Sequence, residues 1–481
     1  MSDEMKGSDS RPPNVILILA DDLGYGDLGC YGNDIVRTPH LDALARDGMR
    51  FDQHYAEAPI CAPSRAGMLT GRHHHRCGAV DVPSNKGFDR IAVAETTMAD
   101  AFQRAGYETG MIGKWHTGLH DLNYHPNARG FREFMGFLNG GMDYWQWVLD
   151  YNGTPARHDG RYLTDVFSDE AVSFIERHRE HPFFLHLSYN APHPPMQAPA
   201  DVVRKYMERG DLSETVALNY AMIEIMDAGI GRIRETLGRN GLAENTIVIF
   251  TSDNGAWLAG DFARFNGPFR GMKQLSLEGG IRVPAMVAWP GRVERGAVCH
   301  EMINSIDWFP TLLALTGNEG AGEGIAFDGV DLSALLRGET KTVSRTRYWQ
   351  FNRYEPLARC NGAMRDGPWK LYFPYSAGGD WKYDGDNSWY QRGCLGPHEC
   401  MPVDNRVTHR PVEGEPLPPQ LFHIGDDPGE ARDLAAEDPN RVQRMTAQWD
   451  AWWEEMMRDY AKARADNLRW LRQAGTVAER R

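Results

Sequence analysis

Two short apolar runs, each ending in a pair of oxygen-bearing side chains, constrain this chain more than any other feature. Val15-Ile16-Leu17-Ile18-Leu19-Ala20 runs straight into Asp21-Asp22, and Thr246-Ile247-Val248-Ile249-Phe250-Thr251-Ser252 into Asp253-Asn254. Apolar stretches of this length without alternation read as strands buried on both faces, as in a parallel sheet covered by helices. In such a sheet, ligands bind beyond the carboxyl ends of the strands. One strand-end acid is usually a turn cap. Two acidic pairs at two strand ends point instead to a shared site for a hard divalent cation, Ca²⁺, Mg²⁺ or Mn²⁺ rather than zinc.

The rest of the chain fits this frame. Phe183–Tyr189 and residues 284–289 read as further strands. Helices are predicted over 40–48, 96–106, 164–180, 214–238 and 305–316. In the third, Val166, Phe167, Ala171, Phe174 and Ile175 share a face, and Thr164 stands where a cap would. Strands alternating with helices give an α/β domain with a largely parallel sheet. A length of 481 residues is long for one core and implies a second, smaller unit. The pattern changes near 340: residues 374–420 are loop-like, and 440–473 return to a helical pattern with Trp449, Trp452, Trp453 and Met456. The predicted organisation is a disordered lead over 1–13, an α/β domain over 14–340 and a smaller α+β domain over 341–481, without internal repeats.

Net charge is −14, which argues against nucleic acid as a partner but not against a small anion held by local cations. No run of 18 apolar residues is present, so no membrane helix is expected. The polar start MSDEMKGSDSRPPN has no apolar signal core. As written, the chain reads as cytoplasmic, or as periplasmic or secreted if a signal was removed. The seven cysteines, at 30, 61, 77, 299, 360, 394 and 400, suggest neither a disulfide framework nor a zinc-thiolate site. Cys394 and Cys400 are the one pair spaced for a bridge.

Candidate cations are Arg65, Lys114, His116, His193 and Lys273. Lys114 and His116 are two apart, so on an extended segment they share a side. Each alone reads as a surface charge or core histidine; together they would form a pocket for a tetrahedral oxyanion. His73-His74-His75 is better read as a loop stretch than as a metal site. Trp115, Tyr144, Trp145 and Trp147 suit stacking on a sugar face or ordinary core packing. The aromatics between 381 and 390 suit a sugar face as well.

Residues 61–72, CAPSRAGMLTGR, resemble the full signature C-x-P-S-R-x-x-x-L-T-G-R of the type I sulfatases, in the alkaline-phosphatase-like superfamily. The likeness extends over Asn14–Gly26, Thr38–Asp42, Arg50-Phe51, Gly113–Gly118, Arg129–Tyr144, Tyr189–Pro199, Thr246–Gly255 and Leu421–Leu434. It is weakest over 350–420. The branch it resembles lies near the arylsulfatases and the galactosamine-sulfate sulfatases. One departure stands out. The family run often reads GGKGxxYEGG, whereas this chain has GMKQLSLEGG, with Met272, Gln274 and Leu277 in place of the usual residues and Lys273 kept.

The resemblance implies a large mixed, mainly parallel sheet sandwiched by helices, and hydrolysis of a sulfate monoester, with a sulfated sugar the leading substrate. It implies that a separate formylglycine-generating enzyme oxidises Cys61 to formylglycine in the unfolded chain. The hydrated aldehyde then attacks sulfur, and its second hydroxyl expels sulfate. Asp21, Asp22, Asp253, Asn254 and residue 61 would hold one Ca²⁺. Asp253 would take the proton of the attacking hydroxyl and Arg65 would orient residue 61. Lys114, Lys273 and His193 would bind substrate, His193 with Lys273 protonating the leaving alcohol. His116 would accept the proton of the second hydroxyl. Rival readings are a phosphate or phosphonate ester hydrolase of the same superfamily, disfavoured by Asp253-Asn254, and a non-catalytic sulfated-glycan binder.

Overall fold

The computed structural model describes residues 11–83, 87–119, 122–343, 345–378, 412–413 and 417–478. Its first strand, Asn14–Ala20, is buried throughout, and its side chains divide by the strand period. Val15, Leu17 and Leu19 enter one apolar layer and Ile16, Ile18 and Ala20 the other. A strand that feeds two cores must lie between two layers of helices. One layer holds Pro39–Asp47, Leu163–Arg177 and Glu214–Arg239; the other holds Cys61–Thr70, Met98–Arg104 and Trp308–Leu315.

The sheet has ten strands. Their order is Ala297–Cys299, Met49–Phe51, Ala285–Ala288, Thr246–Ser252, Asn14–Ala20, Phe183–Ser188, Glu108–Lys114, Glu133–Phe137, Val148–Tyr151 and Thr154–Arg157. The five from Thr246–Ser252 to Glu133–Phe137 are parallel. Ala285–Ala288 and the last two strands run antiparallel to their neighbours, giving the large mixed, mainly parallel sheet between helices. A second, antiparallel sheet follows: Arg347–Gln350, Gly362–Asp366, Trp369–Phe373 and Gln420–His423. The helix Pro439–Ala478 lays Met445, Trp449, Trp452 and Met456 against its Met364, Leu371 and Phe373.

That helix also reaches the first domain. Arg76 pairs with Glu455 at 2.5 Å, with Asp459, and with Asp328 at 2.9 Å. The Trp452 ring stands edge-on to His73 and His75, at 5.4 and 5.5 Å. Among the described residues, no helix is long and apolar enough to cross a membrane.

Two local expectations need correction. Thr164 does not cap its helix: Tyr162 holds that position with no side-chain cap bond, and Thr164 is the second helical residue. Residues 11–13 are tied down, with Asn245 Nδ2 donating to Arg11 O at 3.2 Å and the Tyr107 hydroxyl donating to Pro13 O at 3.1 Å. Residues 1–10, the aromatics of 381–390, and Cys394 and Cys400 lie outside the described residues.

Candidate active site

Because four neighbouring strands are parallel, their carboxyl ends deliver Lys114, Ser188, Asp21-Asp22 and Asp253-Asn254 side by side. Backbone bonds lock the ends together. The Asp253 N–H donates to Ala20 O at 3.1 Å, and the Asp21 N–H to Ala191 O at 3.1 Å. The Asp22 N–H donates to Asp253 Oδ1 at 3.1 Å.

Cys61 is the first residue of the helix Cys61–Thr70, which is buried along its whole length. Burial pushes its thiol up, against the pull of Lys114 and Lys273. Reactive cysteines need the opposite shift. The thiol is therefore not poised as a nucleophile. One turn on, Arg65 Nε donates to Asp253 Oδ2 at 2.8 Å, and Nη1 to Lys114 O at 3.0 Å and Ser188 Oγ at 2.5 Å.

The two lysines face the acids. Lys114 Nζ donates to Asp21 Oδ2 at 2.6 Å and Lys273 Nζ to Asp22 Oδ1 at 2.5 Å. His193 Nε2 lies 3.8 Å from Asp22 Oδ2, and Nδ1 lies 2.7 Å from Pro194 O. Burial, then Lys114 and Lys273, depress His193 to about 3 despite Asp22. Burial, then Lys114 and Arg65, hold His116 well below its usual value. Both imidazoles are neutral in the substrate-free site. Lys114 and His116 both border the site, but not as one extended segment: the strand ends at Lys114, and His116 adopts a left-handed φ of 56°. Asp22 (φ 66°) and Gln274 (φ 78°) are left-handed too, so backbone strain is concentrated here.

The acids fit a divalent cation. Asp21 Oδ1 and Asn254 Oδ1 are buried without a hydrogen-bond partner among the described residues. Asn254 Nδ2 donates to Asp22 Oδ1 at 2.8 Å, which fixes the amide. Burial and the charge of Asp21 raise Asp253 to about 6. Burial would raise Asp22 also, but the charges of Lys273 and Lys114 outweigh it and hold it low. Crowded carboxylates with unsatisfied oxygens form a hard-cation donor set. Ligand atoms of Asp21, Asp22 and His193 lie within 4.8 Å of one another.

Other readings resolve as structure. His73 Nδ1 lies 2.8 Å from Glu57 Oε1 and His75 Nε2 lies 3.1 Å from Gln350 Oε1, and the three histidines form no metal group among the described residues. Trp115, Tyr144 and Trp147 are core residues rather than a sugar platform. The Trp115 and Trp147 indoles donate to Tyr124 O at 2.9 Å and Arg161 O at 3.0 Å. Trp145 packs on Tyr162 at 5.1 Å.

The sequence reading missed part of the cleft beside Cys61, His116, His193 and Lys273. Asn139, Gly140, Gln274 and Arg353 also line it. The Asn-Gly-Gly run at 139–141 hinted at this, and Gln274 stood out in the sequence as a departure beside Lys273. A Cβ at Gly140 would sit 2.8 Å from His116 Cε1 and Nε2, so glycine makes room for that ring.

A buried carboxylate cluster at the end of a parallel sheet, faced by lysines and histidines beside a helix start, defines a hydrolase of tetrahedral oxyanion esters. The particular oxyanion follows from comparison with known proteins. The family model named Sulfatase matches residues 13–318, and that for N-sulphoglucosamine sulphohydrolase, C-terminal, matches 270–386. This chain belongs to the sulfatase family, whose enzymes are sulfuric ester hydrolases. Mouse steryl-sulfatase is 32% identical, covering 92% of this chain and 82% of its own length. Human N-acetylgalactosamine-6-sulfatase is 34% identical, covering 91% and 85%. The solved structure of Ps i-CgsB with k-i-k-neocarrahexaose is 29% identical with a TM-score of 0.76, covering 92% and 93%.

Proposed function

We propose that this enzyme cleaves sulfate monoesters of a sugar, using a formylglycine made from Cys61 by a separate maturation enzyme. A calcium ion would be held by Asp21, Asp22, Asp253, Asn254 and residue 61. The observation that carries the reading is the placement of the signature cysteine, with a thiol unsuited to attack, among the cations of an oxyanion pocket. Sulfated sugars are favoured because Asn139, Gln274 and Arg353 give the cleft a polar wall. The N-acetylgalactosamine-6-sulfatase relative and the Ps i-CgsB structure with k-i-k-neocarrahexaose point the same way.

The formylglycine, once formed, supplies a hydrate with one hydroxyl to attack sulfur and one to expel it, and the bound ion supplies positive charge beside that hydrate. The chain's own groups do the rest. Lys114 and Lys273 bind sulfate oxygens through Nζ, and Arg65 holds Asp253 in place. Asp253 accepts the proton of the attacking hydroxyl, its carboxylate held toward residue 61 by Arg65. His116, neutral and with a buried Nδ1 that has no partner among the described residues, is suited to accept the second. Lys273 is held charged, because the carboxylates of Asp22, Asp21 and Asp253 together outweigh burial. Burial first, and then Lys114 and Lys273, keep His193 neutral in the empty site; an arriving sulfate anion would offset the lysines and favour a proton on Nε2 for the leaving oxygen.

The test is mass spectrometry of the tryptic peptide Phe51–Arg65 from chain co-expressed with a formylglycine-generating enzyme, followed by sulfate release from sulfated sugars, nitrophenyl sulfate and a sterol sulfate. Conversion at 61 with turnover of a sugar sulfate is expected. An unconverted thiol, or a converted enzyme that releases no sulfate, would sink the proposal.

A further inference from the structure

The left-handed residue beside Lys273 is unusual. Gln274 has a φ of 78°, a conformation natural to glycine and strained for a side chain of this size. Glycine is also what the sulfatase pattern often places there. The turn itself asks for nothing more. Its backbone is secured at both ends, by Gln274 N donating to Pro59 O at 2.6 Å and by Asn361 Nδ2 donating to Gln274 O at 2.7 Å. Neither bond uses the glutamine side chain.

The side chain lies where the substrate's carrier must pass. Gln274 lines the same cleft as Cys61, His193 and Lys273. Its backbone bond to Pro59 fixes it two residues from the reacting position. Its Oε1 is buried and has no hydrogen-bond partner among the described residues. A buried amide oxygen left unpaired is costly, and native structures usually leave one only where a ligand or water completes it.

We infer that Gln274 is a specificity-determining residue, its side-chain amide pairing with a hydroxyl or amide substituent on the alcohol that carries the sulfate. The inference rests on the sugar-sulfate reading and sharpens it. A polyhydroxy carrier satisfies the amide, whereas a sterol or simple aryl carrier buries it unpaired. Sites built to bond a polar substituent discriminate against carriers that lack it for this reason.

The experiment compares matured wild type, Gln274→Leu and Gln274→Gly by kcat/KM on a panel of O-sulfated mono- and disaccharides and on 4-nitrophenyl sulfate. Leucine keeps the bulk and the strained backbone but removes the hydrogen bond. Glycine removes the bond and relieves the backbone, and it serves if the leucine variant folds poorly. The expected result is that the preference for the best sugar sulfate over nitrophenyl sulfate falls about 10- to 100-fold in both variants. An unchanged preference, with both substrates slowed by the same factor or by none, overturns the assignment alone. A wild type that turns over nitrophenyl sulfate but no sugar sulfate overturns the sugar reading and this inference with it.

Discussion

Replacing Lys370 with methionine tests what holds the segment from Lys273 to Glu278 to the C-terminal sheet. Lys370 Nζ lies 3.0 Å from Glu278 Oε1 and 2.8 Å from Glu430 Oε1, and the side chains of all three are fully buried. Glu278 Oε2 accepts from the Tyr55 hydroxyl at 2.6 Å, and Glu430 Oε2 accepts from the Glu278 N–H at 2.7 Å. At an effective dielectric constant of about 20, each ion pair is worth about 6 kcal/mol of attraction, most of it offset by desolvation. Deleting the lysine alone leaves two buried carboxylates facing each other, so the expected destabilisation is about 3–5 kcal/mol. Burial would raise Glu278, but Lys370, Arg365 and Arg282 hold it down to about 2. A depressed carboxylate contributes stability above its ordinary value of 4.5 and loses it as pH falls through about 2. Burial raises Glu430 even with the lysine present. Without it, Glu430 takes up a proton more readily, so the gap between variant and wild type should narrow as pH falls from neutral. Urea denaturation followed by tryptophan fluorescence and far-ultraviolet dichroism measures this. Lys370→Met with Glu430→Gln should recover at least about half the loss, since one uncompensated charge is gone. A loss under about 1 kcal/mol, or a double variant no better than the single, would refute the argument.

Three further outcomes are expected at the site. Asp21→Asn should lower bound calcium per chain, read by elemental analysis, and cut sulfate release at least about 100-fold, because it removes a ligand charge and frees Lys114. Gly140→Ala should lower kcat by about 10- to 100-fold with little change in KM, because the new methyl group displaces the His116 ring; full activity would remove His116 from the reaction. His193→Ala should slow a sugar sulfate at least about tenfold more than nitrophenyl sulfate, whose leaving group needs no proton, and equal losses would deny His193 the acid role.

The sequence carried the sheet and the acids because both are local signals. An unbroken apolar run ending in Asp-Asp or Asp-Asn is visible without any knowledge of its neighbours, and so is the signature around Cys61. What was hidden depends on distant partners. Nothing in the sequence near Glu278 announces Lys370 or Glu430, which lie 92 and 152 positions away. Thr164 looked like a cap because its chemistry suits one, yet the helix begins earlier, from a tyrosine in extended backbone. Lys114 and His116 were placed by strand periodicity, which fails where the backbone turns left-handed. The tryptophans near the cleft were ambiguous because a large aromatic side chain suits a core and a sugar face alike.

The burial of the signature helix has a consequence in time. Cys61 is 3% exposed, and its helix is walled in by the segment that Arg76 and Trp452 tie to Pro439–Ala478. The maturation proposed above would need another protein's active site to close over this side chain, so it would have to come before packing. The clasping helix is encoded about 380 residues downstream. At roughly 5–20 residues per second, it leaves the ribosome roughly 20–75 seconds after the cysteine. The proposed maturation would therefore race folding, with a head start set by the length of the chain, and slowing translation should raise the fraction of chains converted at position 61.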